Sequence, residues 1–217
     1  MGAPETHVYS ILEAVDYVDA LTEDTPHNRA EWHARHMFDA LGIPCDEEST
    51  ADTPGRFVRA LAELTSGMTL DPARHLARTF PPPSPDPGMI LVPGIPFVSI
   101  CEHHLLPFTG TASISYIPSP GAKVLGLSKF ARITQEYAAR PQMQEKLGDQ
   151  IVAAIADNLD ILGAACVIRS VHSCMTLRGA RATGAAMVTS HLAGVFREDP
   201  AVRAEFFQLL DSTGAPA

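Results

Sequence analysis

Cys101-Glu102-His103-His104 is the densest chemical segment in the chain. Two residues separate Cys101 from His104, a spacing by which one turn presents two ligands to one metal. A thiolate and an imidazole suit zinc. A second segment, Val171-His172-Ser173-Cys174, brings another imidazole and another thiol. Read as a strand, it puts His172 and Cys174 on one face, because side chains alternate with a period of two. Cys174 then completes a three-ligand site with Cys101 and His104 and leaves a fourth position for water. Metal-assisted hydrolysis uses such an open site, since zinc lowers the pKa of bound water to about 7. The alternative is a closed structural zinc site with His103, His172 or Cys166 as fourth ligand. His33 and His36 form a competing i, i+3 pair, but no thiol or acidic pattern supports it beyond Glu31 and Asp39. They read as helix-surface histidines.

Cationic side chains recur at the starts of expected helices, where free backbone N–H groups favour phosphate. Arg56 and Arg59 fall in the first two turns of one helix. Lys129 and Arg132 follow Gly126-Leu127-Ser128 at the start of another, and Arg178 follows the Cys174 segment. Taken singly, each reads equally as a solvated charge. Gln144-Glu145 lies in the first turn of a further helix. A carboxylate there can accept two hydrogen bonds from the N–H edge of a guanine-like ring, or simply complement the helix dipole.

The elements that must position these groups follow from pattern. About 80 residues at the start read as helical, with Val8, Ile11, Leu12, Val15 and Val18 at helical spacing. A second helix is expected from about Asn28 to Leu41, stopped by Gly42. A third starts near Asp52-Thr53-Pro54, buries a stripe of Phe57, Leu61 and Leu64, and closes at Gly67. A weaker one covers Pro72 to Thr79. Pro81 to Gly88 holds five prolines and must be a connecting loop. Extended segments follow at Met89–Val92, Phe97–Cys101 and Thr111–Ile117, the last alternating Ala112, Ile114 and Tyr116 against Thr111, Ser113 and Ser115 as a half-buried strand does. Helices are expected at about Ser128–Ala139 and Gln142–Leu159, broken at Arg140-Pro141. Strands resume at about Ala165–Met175 and Ala185–His191, and a last helix covers Pro200–Leu210. Strands do not alternate singly with helices, so an α+β antiparallel sheet is expected rather than a doubly wound parallel one. The division is a helical region over 1–80 and a catalytic domain over 81–217.

The chain has 217 residues, of which 46% are hydrophobic and 19% charged, the texture of a globular protein able to bury a core without staples. Its 16 basic and 25 acidic residues give a net charge of −9, which argues against nucleic acid as a partner. It leaves room for an anionic substrate held by a few local arginines. No apolar run reaches the roughly 18 residues of a membrane span, and the first thirty residues lack a secretory pattern. A cytoplasmic protein with free cysteines is expected, not a disulfide framework.

Four blocks carry a resemblance: Cys-Glu-His-His-Leu-Leu-Pro-Phe, Gly-Leu-Ser-Lys-Phe-Ala-Arg-Ile, Arg-Pro-Gln-Met-Gln-Glu-Lys-Leu and His-Ser-Cys-Met-Thr-Leu-Arg-Gly. In this order and spacing, with the tail Thr-Ser-His-Leu-Ala-Gly-Val-Phe-Arg, the chain resembles GTP cyclohydrolase I from about Asp52 to Leu210. The resemblance implies a tunnelling fold, an antiparallel sheet with two helices on one face, assembled as a homodecamer with active sites between subunits. It implies Cys101, His104 and Cys174 as zinc ligands and His103 and His172 as catalytic. Glu145 with Gln144 would grip the guanine, while Ser128, Lys129, Arg132, Arg178, Arg56 and Arg59 hold ribose and triphosphate. The implied reaction is hydrolytic opening of GTP at C8, with His172 protonating the imidazole nitrogen. Formate is then released, and rearrangement aided by His103 and Ser128 gives 7,8-dihydroneopterin triphosphate, the first step of pteridine and tetrahydrofolate biosynthesis. Departures from the family lie in the longer turn at Ser119-Pro120-Gly121-Ala122, Thr176 where several members carry lysine, less polar Gly184–Met187, and the proline-rich loop. They leave a paralogue feeding a specialised deazapurine or pterin pathway, and a non-catalytic zinc-binding interaction module, as alternatives.

Overall fold

The computed structural model describes residues 25–214. They fall into two compact units, one ending at Ala62 and one beginning at Glu63. The helix expected around Val8 to Val18 lies outside the described residues. In the first unit, α1 spans Pro26–Ala40. Thr25 caps it, its hydroxyl accepting from Asn28 N at 3.2 Å, Pro26 fills the first turn, and Gly42 leaves it at φ 67°. α2 spans Thr53–Leu64. Its expected apolar stripe is displaced: Pro54 and Gly55 are buried, while Phe57 is exposed and meets Phe38 edge-on at 5.4 Å. On the buried side Gly55 packs closely, and a Cβ there would stand 2.8 Å from the Glu31 carboxylate.

The second unit begins with two 3-10 segments, Ser66–Thr69 and Pro72–Ala77, where a helix over Pro72 to Thr79 was expected. The strands follow as β1 Thr79–Phe80, β2 Ile90–Cys101, β3 Pro107–Pro118 and β4 Val124–Leu125, then helix α3 Ser128–Ala138. After them come β5 Pro141–Gln142, α4 Gln144–Asn158, β6 Ile161–His172, α5 Ser173–Thr176, β7 Met187–Gly194, α6 Val195–Glu198 and α7 Pro200–Ser212. A five-stranded sheet runs β5-β2-β3-β6-β7, antiparallel except where β5 pairs parallel with the end of β2. β1 and β4 form a separate two-stranded ladder. The chain is α+β.

Two expected extended segments are one strand. Pro93 and Gly94 interrupt the β2–β3 register between Val92 and Ile95, with Gly94 at φ 69°, but pairing resumes on both sides. A bulge of this kind resembles a break in sequence. β3 is also buried on both faces. Ala112, Ile114 and Tyr116 join the core against α3 and α4, yet Ser113 and Ser115 are buried too. Their hydroxyls are partnered: Ser113 accepts from Gly94 N and Ser115 donates to the Ile90 carbonyl. A second apolar cluster of Ala165, Val167, Phe196, Phe206 and Leu210 lies where α6 and α7 pack on the sheet, so only one face holds the two expected helices and a third helix covers part of the other.

This arrangement collects chemistry at one end of the sheet. Cys101 ends β2 beside Gln142 of β5, and Phe108 near the start of β3 pairs with His172 at the end of β6. Pro141 does break the two helices, and its strand bridge sets the first turn of α4 next to Cys101.

Candidate metal and substrate site

After Cys101 the chain reverses tightly. Cys101 N donates to the Leu106 carbonyl at 2.8 Å, while His104 N and Leu105 N reach the Cys101 carbonyl at 3.3 and 2.8 Å. Leu105 takes the left-handed conformation, φ 53°, which a side chain adopts only when its surroundings hold it there. This turn folds His104 back toward Cys101. Cys174 arrives differently from expectation: β6 ends at His172, the Ser173 hydroxyl donates to the Pro107 carbonyl, and Cys174 sits on the helical turn α5. The ligand atoms of Cys101, His104 and Cys174 all lie within 4.8 Å of one another.

The donor set fits a metal ion. Burial and the neighbouring Cys101 thiol push the Cys174 thiol above its ordinary value, against the pull of the Arg178 charge. A cation at this position would offset that cost and favour the Cys174 thiolate. Cys101 is buried, Cys174 half-buried and His104 exposed, so the cluster opens to solvent on the His104 side. Cys166 is not near it. That residue pairs with Ile114 in the core, six positions along the ladder from the Phe108–His172 pair, about 20 Å away by strand geometry. Burial pushes its thiol up to about 12. His103 Nδ1 lies 3.5 Å from Cys101 Sγ, against 3.9 Å for His104 Nδ1, so both histidines border the same sulfur. His33 and His36 join no such cluster among the described residues; the His36 ring stacks on Trp32 at 3.8 Å.

His172 stacks on the buried Phe108 ring, centroids 4.3 Å apart and planes 6° from parallel. Its Nε2 is 3.1 Å from Gln144 Oε1. Burial lowers its pKa, while the Glu145 carboxylate acts in the opposite direction, which sets Glu145 close enough to be felt. Glu145 is exposed, whereas Gln144 is fully buried. An ion pair of Lys146 with Glu102, at 3.6 Å, and the bond from Glu102 N to the Gln142 carbonyl tie the first turn of α4 to the Cys101–Leu105 turn.

The other expected binding groups sit on α2, at the start of α3 and just after α5. Ser128, Lys129 and Arg132 occupy the start of α3, Ser128 and Arg132 exposed, and make no hydrogen bond or ion pair to the cluster among the described residues. Arg178 is exposed just after α5. Arg56 and Arg59 are exposed on α2; Arg56 donates to the Ser49 carbonyl at 2.7 Å and to Thr53 Oγ1 at 3.3 Å. Phe108, Ser170, Thr189 and the Glu102–Lys146 pair escaped the sequence reading. Phe108 stood within a quoted block, but nothing in its spacing signals a ring stack with His172.

Comparison with known proteins gives a consistent picture. The sequence pattern of the family described as GTP cyclohydrolase I matches residues 30–211. GTP cyclohydrolase 1 of Rhodopirellula baltica is 44% identical over 194 residues, 87% of this chain and 83% of the relative. The Dehalococcoides mccartyi protein of the same name is 43% identical over 180 residues, 83% of this chain and 94% of its own. Among solved structures, the archaeosine synthase QueF-Like in the apo form aligns with a TM-score of 0.41 and 18% identity over 50% of this chain and 95% of that one, too slight a likeness to bear on function. With a match that takes in both metal-ligand segments and the sheet between them, the chain belongs to the GTP cyclohydrolase I family.

Proposed function

We propose that this chain converts GTP and water to 7,8-dihydroneopterin triphosphate and formate, as a cytoplasmic enzyme opening pteridine and tetrahydrofolate biosynthesis. The observation that carries the reading is the convergence of Cys101, His104 and Cys174 beside His172, in a member of this family. Zinc is the ion the two sulfurs and one imidazole suit, and when bound it supplies Lewis-acid activation of water for hydrolysis.

The chain's own groups do the rest. Glu145 accepts hydrogen bonds from the guanine N1–H and 2-amino group and keeps the ring in register through ring opening and closure. His172 and His103 exchange protons with the substrate, and Ser128 serves the later steps. His172 suits this role because burial favours its neutral form, leaving it free to take up a proton. Lys129, Arg132, Arg178, Arg56 and Arg59 bind ribose and triphosphate, in active sites built between subunits of a homodecamer.

Incubation with GTP and zinc, following formate and pterin fluorescence together, tests the reading. Both products should appear in equal amounts. Zinc binding with GTP left unchanged would mark a structural zinc module instead, and GTP consumed with neither formate nor pterin an enzyme that stops at the ring-opened formamidopyrimidine.

A further inference from the structure

The hydrogen-bond inventory around Gln144 decides a question that distances alone leave open: which nitrogen of His172 carries its proton. Gln144 Nε2 faces three acceptors, the Ile168 carbonyl at 3.1 Å, the Met187 carbonyl at 3.2 Å and Thr189 Oγ1 at 3.2 Å. Two of these are carbonyl oxygens and cannot donate, so this end of the amide must be the NH2 group. The oxygen end therefore points to Ser170 and His172. The Ser170 hydroxyl donates to it, and an amide oxygen can only accept. His172 Nε2, 3.1 Å away, must then be an N–H. The Phe108 stack fixes the plane of the ring while this bond fixes its rotation in that plane.

We propose that Gln144 is a positioning residue that holds His172 as the Nε2–H tautomer, so that His172 exchanges its proton with the substrate through Nδ1. The proposal rests on the cyclohydrolase reading in one respect, that His172 takes part in proton transfer. It departs from a guanine contact for Gln144. Both hydrogens of its amide and both acceptor positions of its oxygen have partners inside the chain, and the side chain is fully buried, so nothing remains to offer a ligand. β6 and β7 supply every partner that orients the amide: Ile168 and Ser170 from the first, Met187 and Thr189 from the second. The tautomer of one side chain is thus set by the pairing of two strands. A fixed tautomer matters because an imidazole whose protonated nitrogen is reversed presents a donor where an acceptor is required.

A double-mutant cycle on the full, zinc-loaded protein tests this, with GTP affinity by titration calorimetry, metal content and circular dichroism measured on each variant. Gln144→Met keeps the length of the side chain and removes its hydrogen bonds. It should lower kcat by about 10- to 100-fold, leave KM and GTP affinity within about twofold, and leave zinc content unchanged. In a His172→Ala background the same change should have no further effect on the residual rate, because the group it positions is gone. Gln144→Glu, which keeps an oxygen toward His172 and Ser170, should retain more of kcat than the methionine variant, and Gln144→Leu, which also removes every hydrogen bond, takes the place of Gln144→Met in the cycle if that variant fails to fold. Weakened GTP affinity in both backgrounds would make Gln144 a substrate contact and overturn the proposal. An equal loss of rate with and without His172 would make it a merely structural residue and overturn it too. Wild-type protein that leaves GTP unchanged would remove the cyclohydrolase reading itself, whereas an active wild type with either of those results removes only the role of Gln144.

Discussion

Two thiols and an imidazole within 4.8 Å of one another make a group that could hold a metal, and the assignment can be tested residue by residue. Cys101→Ala, His104→Ala and Cys174→Ala should each lower zinc occupancy, read by elemental analysis, and abolish formate release. Cys166→Ala should leave metal content unchanged because its thiol is in the core, and so should Cys45→Ala, which joins no metal-capable group among the described residues. Full zinc and full activity in any of the first three would strike that residue from the ligand set. Glu145 makes a second residue-scale test. A site that pairs a carboxylate with the guanine N1–H and 2-amino group should reject adenine by about four orders of magnitude. Glu145→Ala should therefore lose GTP turnover and keep its zinc, and comparable turnover of ATP and GTP by the wild type would refute the assignment. The approach of His104 to Cys101 was legible in the sequence because a Cys-x-x-His turn is local. The route of Cys174 was not: a strand would put residues 172 and 174 on one face, but β6 ends at His172 and Cys174 follows on a helical turn, where the Ser173 hydroxyl bonds the Pro107 carbonyl. The role of Gln144 was out of reach for a similar reason, since its partners are backbone carbonyls of two distant strands.

At the scale of elements, proline and periodicity read well, and close approaches did not. Pro141 announced the break between α3 and α4, while Pro93-Gly94 announced a break that pairing spans. Gly110 illustrates a constraint that sequence conceals. It faces Ser170 across β3 and β6, and a Cβ there would stand 2.1 Å from the Arg169 carbonyl oxygen and 2.6 Å from Ser170 Cβ. The backbones must move apart to admit it. Gly110→Ala should cost about 1–3 kcal/mol by urea denaturation, and turnover should fall more than the unfolded fraction explains, because the same strand pair carries Phe108 and His172 two residues away. A stability loss with unchanged kcat would show the site to be decoupled from that register. The link between the second 3-10 segment and α3 is electrostatic. Arg74 holds Glu136 through two 2.6 Å bonds and His75 adds a third at 2.8 Å. Burial acts to raise the Glu136 carboxyl, but these bonds and charges outweigh it and leave the pKa below the ordinary value. A depressed folded pKa means stabilisation present above the unfolded carboxylate pKa and lost as pH falls through the folded one. Arg74 is 45% exposed, so solvent screening holds the contribution to about 1 kcal/mol. Glu136→Gln should be less stable than the wild type near neutral pH, and the two should converge in acid. A gap of constant size across that range would assign the effect to packing.

For the whole molecule, the distribution of groups separates metal binding from turnover. All three metal ligands belong to one chain and meet within it, so a single subunit should hold zinc unaided. Of the residues proposed for the triphosphate, Arg178 acts on the Cys174 thiol, while Lys129 and Arg132 make no hydrogen bond or ion pair to the metal-ligand cluster among the described residues, which leaves room for a neighbour to complete the site. The sheet has the edges for such an assembly. β5 covers only Ile100 and Cys101 of β2, and β7 has no partner on its outer side among the described residues. Open edges recruit further strands unless something blocks them. Val98, Val171 and Val188 are also exposed on β2, β6 and β7, apolar surface that association would cover. The homodecamer is an expectation from family resemblance, since composition and periodicity carry no symmetry; these edges are where such an assembly would form. Val188→Glu tests it. Val188 is 53% exposed on the edge strand and pairs with Arg169, so a carboxylate there has a cation beside it and should not unfold the subunit. Placed in a subunit interface it would bury a charge facing an apolar or backbone surface, which is costly. Size-exclusion chromatography with light scattering should then show smaller species, elemental analysis should still show zinc, and formate release should be lost. Small species that turn over GTP at the wild-type rate would mean that one chain contains a complete active site, and the triphosphate residues would have to be sought among groups already beside Cys101 and His172.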